Sequence, residues 1–234
     1  MVYKNPYVEI CLEGASSVFK GLSQEEKEIL DQHHQALNFR RGETIINAWT
    51  RPKGLICLVS GKAKMFRTGA GNREQIIKML RPHNYLAYRS LFSENPFPFS
   101  VKAVEDSAIV IFEKHAMSGI LRKNAELAIR FIKVISEDLL YSNNRLISLT
   151  QKHVRGRIAE SLLLLRDTYG TEADGSTLRV LLSREDLAHL SNMTTSNAIR
   201  TLSVLVSEKI LGIEGRKIMI LDQVKLEAIS ESGQ

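Results

Sequence analysis

Ser183-Arg184-Glu185-Asp186-Leu187-Ala188-His189-Leu190-Ser191-Asn192-Met193-Thr194-Thr195-Ser196-Asn197-Ala198-Ile199-Arg200-Thr201-Leu202 reads as two short helices joined by a sharp turn. Ser183 and Asp186 form an Asp variant of the capping box, and Leu182 is placed to staple onto Leu187. Leu187, Ala188 and Leu190 then face inward, with Ala188 small where two helices cross closely. Asn192 falls at the turn, and Asn enters the left-handed backbone region more readily than most residues other than Gly. Thr194 is placed to cap the second helix, whose Ala198, Leu202, Leu205 and Val206 form its buried face. Thr195, Ser196, Asn197, Arg200 and Ser203 remain at the start and on the outer face. All are uncharged or positive, which suits a surface approaching phosphates. An exposed helix start of this kind reads bases in a major groove. Arg200 suits guanine or a phosphate, and Asn197 suits adenine. A plain helical hairpin with a polar outer face would share the pattern. The segment C-terminal to it separates the two: residues 210–213 and 218–221 read as a strand pair around Glu214-Gly215-Arg216-Lys217, a wing whose Arg216 and Lys217 can touch a nucleic-acid backbone.

Upstream the texture changes. Residues 5–40 hold short helical signals, including a Ser23 cap answered by Glu26. Residues 41–112 alternate short β segments with glycine turns. Residues 55–59 and 62–66 flank Ser60-Gly61, a two-residue hairpin signal. Thr68-Gly69-Ala70-Gly71-Asn72 leads into 75–80, and 100–104 and 108–112 complete the set. Short strands with a turn every ten or so residues predict a barrel or roll. Beyond Lys114 the chain turns helical. Ile132, Ile135, Leu139, Ser142, Leu146, Leu149 and His153 recur at alternating steps of three and four, a heptad seam that predicts a partner helix, hence a homodimer. A helix lying on its own β-roll would need a similar stripe. Residues 158–165 read as an apolar helix, 171–177 as a polar turn and 178–182 as a short strand.

Composition narrows the function classes. At 234 residues with 44% hydrophobic and 25% charged residues, the chain has the make-up of a soluble globular protein. No apolar run reaches the ~20 residues of a membrane span, and no signal peptide is read at the start, so the expectation is cytoplasmic. The net charge of +6 is not concentrated in the C-terminal part read as meeting nucleic acid: residues 1–150 carry 21 basic against 15 acidic side chains, residues 151–234 carry 11 against 11. Cys11 and Cys57 are isolated in sequence, and the six histidines show no i, i+3 or i, i+4 pairing, so neither a metal nor another cofactor is expected. There is no nucleophile–base constellation and no phosphate-cradling glycine loop, so no enzyme is expected.

Taken together, the chain resembles the Crp/Fnr family of transcription regulators over nearly its whole length. Gly42-Glu43, Gly54-Leu55 and Val59-Ser60-Gly61-Lys62 match the family's β-roll pattern. Arg73-Glu74-Gln75-Ile76 and Leu80-Arg81-Pro82 match the strand before its ligand cassette, and Gly156-Arg157-Ile158-Ala159 matches the start of its DNA-binding domain. The resemblance implies an α+β chain: an N-terminal double-stranded β-helix (jelly-roll) domain over 1–115, a long dimerisation helix over 116–150 and a C-terminal winged helix-turn-helix over 151–234, with a hinge near 151–155. It places Arg200 at a base-contacting position and Arg184 and Thr194 at phosphate-contacting ones. Double-stranded DNA, a second copy of the chain and RNA polymerase are the implied partners.

The sequence departs from the cyclic-nucleotide-binding members where their Gly-Glu and Arg-Ser/Thr pairs hold ribose and phosphate. Tyr88 stands for the Glu, Phe97 for the Arg and Pro98 for the hydroxyl residue. Without the guanidinium the charge-assisted grip on an anion is gone, so cAMP binding by the family's mode is not expected. Tyr85, Tyr88, Phe92, Phe97 and Phe99 fall within fifteen residues. They read either as a pocket for an apolar or aromatic effector, with Arg89 beside it, or as a pocket filled by its own side chains. Core packing, the commoner use of aromatics, favours the second. Two rivals stand beside the regulator: a haem or redox sensor using His83, and a ligand-binding scaffold that no longer binds DNA.

Overall fold

The computed structural model describes residues 3–233. The chain divides into two compact units: residues up to Arg67 with Leu80–Leu139, and Thr68–Met79 with the chain from Leu140 on.

The first unit opens with α1 (Pro6–Glu13), capped by Asn5, and α2 (Gln24–Gln32), which carries a complete Ser23–Glu26 capping box. The strands β1 (His34–Phe39), β2 (Thr44–Ile46), β3 (Gly54–Ser60), β4 (Ala63–Thr68), β6 (Tyr85–Leu86), β7 (Ser100–Ala103) and β8 (Ser107–Glu113) form two antiparallel sheets, ordered β1-β8-β3-β6 and β2-β7-β4, while β5 (Glu74–Leu80) falls, but for Leu80, in the second unit. Between β6 and β7 lies the one-and-a-half-turn helix α3 (Tyr88–Ser93). Strand alternation divides the core. Leu55, Cys57 and Val59 of β3, with Ala108, Val110 and Phe112 of β8, pack into a cluster with Cys11, Leu12, Phe19 and Leu30 from the helical N-terminus. Ile56, Leu58 and Ile109 are buried on the opposite face. The helices α4 (Lys114–Lys123) and α5 (Ala125–Gln151) follow.

The second unit continues from α5 into α6 (Val154–Tyr169), α7 (Arg184–Leu190), α8 (Thr195–Ser207), the hairpin β9 (Leu211–Glu214) and β10 (Lys217–Ile220), and α9 (Gln223–Ser232). The fold is the α+β architecture expected: a β-roll domain, a long helix and a helix-turn-helix with a two-stranded wing.

Several local expectations are corrected. Ser60-Gly61 is not a hairpin turn, because β3 pairs with β8 and β6 while β4 joins the other sheet. Gly61 takes φ +81, and a Cβ there would stand 2.3 Å from the Asp106 carbonyl oxygen, so the chain presses against the β7–β8 corner as it changes sheets. Residues 34–39, within the stretch read as helical, form the edge strand β1. The long helical region is broken at Asn124, whose Oδ1 accepts from the Leu127 N–H at 2.9 Å and so caps α5. His153, last in the heptad seam, lies beyond α5 and is the N-cap residue of α6. Residues 178–182 are irregular: Thr177 bridges Met219, and the Leu178 N–H donates to the Ile218 carbonyl. Helix α9 has no counterpart among the elements read from sequence.

Candidate nucleic-acid interface

The Ser183 hydroxyl accepts from the Asp186 N–H at 2.9 Å and starts α7. The return half of the box differs from the expected form, since the Asp186 carboxylate accepts from the Ser183 hydroxyl at 2.8 Å. Leu182, Leu187, Ala188 and Leu190 are buried. Asn192 takes φ +50, and the Met193 N–H bonds back to the Ala188 carbonyl at 3.0 Å, closing the turn. Thr194 caps α8, its hydroxyl accepting from the Asn197 N–H at 3.3 Å.

Spacing on α8 then sorts the side chains. Ala198, Leu202 and Leu205 are buried, while Val206, expected with them, is exposed because it falls one step past the inward row. Ser196, Arg200 and Ser203, at steps of four and three, form one exposed row. Thr195 and Asn197 are half-buried. Arg200 donates from Nη2 to the Asn197 Oδ1 at 2.7 Å, which fixes the guanidinium over the first turn of the helix. At the wing, Glu214 pairs with Lys217 across Gly215-Arg216, and Gly215 takes φ +57. Arg184, half-buried, donates to the Gly215 carbonyl at 2.8 Å and ties the start of α7 to the wing turn. Arg216 and Lys217 are exposed. The unit therefore places an exposed helix start, a fixed guanidinium and a cationic loop together, and nothing acidic lies among Thr194, Thr195, Ser196, Asn197, Arg200 and Ser203.

Three supports hold this arrangement, and of the residues that supply them, Arg145, Ser161 and Gly156, only Gly156 stands out in the sequence. Arg145 of α5, 7% exposed, donates to the Leu190 carbonyl at 2.5 Å and covers the C-terminal end of α7. The fully buried Ser161 and Ser191 hydroxyls hydrogen-bond at 2.9 Å and lock α7 onto α6. Gly156 lets α6 approach Gly233, where a Cβ would stand 2.8 Å from backbone atoms.

In the first unit the aromatic cassette is largely internal. Tyr85, Tyr88 and Phe97 are buried, Phe99 is half-buried, and Phe92 and Arg89 are exposed. The Tyr85 hydroxyl accepts from the Val18 N–H at 3.0 Å and its ring stands edge-on to Phe19, 5.6 Å between centroids. Burial pushes its phenol above the usual range. Tyr88 donates to the Asp138 carboxylate, and Phe97 packs edge-on against Phe99 at 5.7 Å. Of the cassette's aromatics only the exposed Phe92 reaches a cavity of about 550 Å³, lined also by Leu91, Phe131, Ile132, Ile135, Lys114 and Arg122. His83, in a turn at φ +66, packs against Gly14 at the end of α1.

Two groups isolated in sequence meet in space. Cys11 of α1 and Cys57 of β3 are fully buried neighbours, and the contact together with burial pushes the Cys57 thiol up. His33, Glu113 and His115 likewise converge.

Family models match both parts of the chain: a cyclic nucleotide-binding domain over residues 36–124 and a Crp-like helix-turn-helix domain over 156–229. The chain belongs to the Crp/Fnr family of transcription regulators. Among Crp/Fnr proteins it is 25% identical over 213 residues to a CRP-like cAMP-activated global transcriptional regulator of Mycobacterium tuberculosis, covering 90% of this chain and 95% of that one. It is 24% identical over 216 residues to the cyclic AMP receptor protein of Thermus thermophilus, covering 92% and 97%. A crystal structure of a Crp/Fnr-family protein from Eubacterium rectale shares its fold, with a TM-score of 0.75 at 19% identity over 92% of this chain and 97% of the other. The Crp/Fnr helix-turn-helix is therefore the DNA-binding part of this regulator. Among the described residues no helix is long and apolar enough to cross a membrane.

Proposed function

We propose that the chain acts as a cytoplasmic homodimer on double-stranded DNA, each α8 entering a major groove of a two-fold-related operator with half-sites about one helical turn (~34 Å) apart. The single observation that carries this reading is the exposed row Ser196, Arg200 and Ser203 on α8, with the Arg200 guanidinium held by Asn197 at 2.7 Å. In the proposal Thr195, Ser196, Asn197, Arg200 and Ser203 meet base edges. Arg184, Thr194, Arg216 and Lys217 meet phosphates. Residues 1–115 form the sensor, 116–150 the dimerisation segment and 151–234 the DNA reader, which swings about 151–155. Dimerisation is supported by the apolar seam of α5, whose Ile132, Leu139 and Leu146 are 61%, 59% and 64% exposed in the single chain. Exposed apolar rows of this length are the mark of an interaction surface. Ile135 and, half-buried, Ser142 and Leu149 complete the row. RNA polymerase is the proposed downstream partner, and no catalytic role is proposed.

cAMP is not the proposed effector, although both curated relatives carry it in their names. Tyr88, buried and bonded to Asp138, and Phe97, buried against Phe99, fill the positions from which family members grip ribose and phosphate. The test is direct: purify the untagged protein, recover bound fragments from sheared genomic DNA and sequence them. The expected result is a two-fold-related motif with one-turn spacing. An absence of enriched motif and of any mobility shift at low salt, with or without cell extract, would favour the scaffold reading. A haem absorption band in protein purified anaerobically would favour the haem sensor.

A further inference from the structure

His33 is the last residue before β1, Glu113 ends β8 and His115 lies in the first turn of α4. Nothing in the sequence spacing of His33 relates it to the other two, which lie eighty residues on. The fold joins them because the first pair of the β1–β8 ladder sits at this corner, and the Glu113 N–H donates to the His33 carbonyl at 3.0 Å. The His33 N–H in turn closes α2 by bonding to the Ile29 carbonyl at 3.1 Å. Both backbones are thus fixed by secondary structure, not by the side chains themselves.

The side chains converge on one oxygen. His33 Nδ1 lies 3.5 Å and His115 Nδ1 3.3 Å from the same Glu113 Oε2, and the two rings stand edge to face at 4.6 Å between centroids. All three donor atoms lie within 4.8 Å of one another. A tetrahedral ion with bonds of about 2.0–2.1 Å separates its ligand atoms by roughly 3.3–3.5 Å. Both nitrogen–oxygen separations therefore already have the value coordination requires. Two imidazoles and one carboxylate select a borderline divalent cation over magnesium or calcium, which take oxygen ligands. Three protein ligands leave the fourth position to solvent.

We propose that His33, Glu113 and His115 form a binding site for zinc or a like divalent cation, clamping the α2–β1 junction to the corner where the roll passes into α4. The proposal is independent of how the chain meets DNA.

The test uses the untagged full-length chain, stripped with chelator and titrated with Co²⁺ as spectroscopic probe, then with Zn²⁺. The expected result is one equivalent of cobalt per chain, with visible ligand-field bands of low-symmetry or tetrahedral type that zinc abolishes, and a zinc-dependent rise in Tm. His115→Ala and Glu113→Gln should weaken the affinity by at least tenfold, the scale at which lesser perturbations of metal sites act. His34→Ala should leave it unchanged, because His34 Nδ1 is engaged with the Asp31 carbonyl at 2.9 Å. The His115 side chain is 65% exposed, so His115→Ala keeps the fold and is decisive alone if another variant does not. Absence of the bands, affinity unaltered in His115→Ala, or equal losses in His34→Ala would each overturn the site.

Discussion

Arg200 is an exposed side chain held by a hydrogen bond to Asn197, so its removal leaves the core of the helix-turn-helix untouched. Arg200→Ala should weaken binding to the recovered operator by about 1–3 kcal/mol, the cost of one bidentate base contact. Fluorescence anisotropy against operator and scrambled duplexes checks this, with unchanged circular dichroism as the control. Equal affinity of the variant for operator would remove α8 from base reading. Arg200→Lys should not restore the loss, since an ammonium lacks the planar fork. A second residue makes a prediction about pH. Asp174 accepts from the Ser176 and Thr177 N–H groups at 2.9 and 2.8 Å and from the Thr177 hydroxyl at 2.5 Å. These bonds favour the carboxylate and lower its pKa to about 2. The folded value lies below the ordinary Asp value of about 3.9. The contribution to the 171–177 turn is therefore full above the ordinary value and is lost as pH falls through the folded one. The Ser176 and Thr177 amide resonances should titrate with a midpoint near 2. A midpoint at the ordinary carboxylate value would mean that the turn is not closed by Asp174.

At the scale of elements, the features legible in sequence are those whose causes lie within four residues. The Ser23, Ser183 and Thr194 caps and the left-handed Asn192 depend on side chains meeting nearby backbone, and each is found where the residues put it. Features made by distant partners are not legible. Ser60-Gly61 carries a turn signal, but nothing local says that β3 takes β8, fifty residues on, in place of β4. The candidate metal corner has the same origin, since β1–β8 pairing alone brings His33 to Glu113. The buried face of α8 follows its sequence pattern except at Val206, where a one-residue drift of the stripe exposes the side chain. Helix α9 gives a weak sequence signal because its inward row is short: Leu226 is fully buried, whereas Val224 is 77% exposed. Its neighbour α6 carries a clearer mark of the contact. Gly156 faces the Gly233 backbone, with no flexible side chain there to yield. Gly156→Val should therefore destabilise the second unit by about 1–3 kcal/mol, the usual cost of overpacking. Chemical denaturation measures this, and an unaltered midpoint would show that α6 and Gly233 do not approach so closely.

For the whole molecule, the decisive quantity is the coupling between two copies. One helix-turn-helix meets only a few base pairs, and its affinity is modest. Two held at fixed spacing bind a two-fold site far more tightly, because the second engagement is intramolecular and occurs at a high effective concentration. In the proposed dimer that coupling passes through α5, whose outward row offers Ile132, Leu139 and Leu146 to a partner. The double substitution Leu139→Glu, Leu146→Glu puts charge at two exposed positions where a single chain has nothing to lose: neither side chain is in the core, and both Leu and Glu favour helix. Each copy should keep its fold by circular dichroism. In a dimer the same glutamates meet across the seam in an apolar setting, where unpaired charge is costly and like charges repel. Sedimentation equilibrium should therefore give a monomer where the parent chain gives a dimer. Affinity for the two-fold operator should drop by a factor on the order of 10²–10⁴, to that of an isolated half-site, since avidity of that size disappears with the link. Affinity for the half-site alone should not change, because α8 and the wing are untouched. A variant that stays dimeric would move the interface off α5. One that becomes monomeric yet holds the full operator as before would mean that a single copy suffices on DNA.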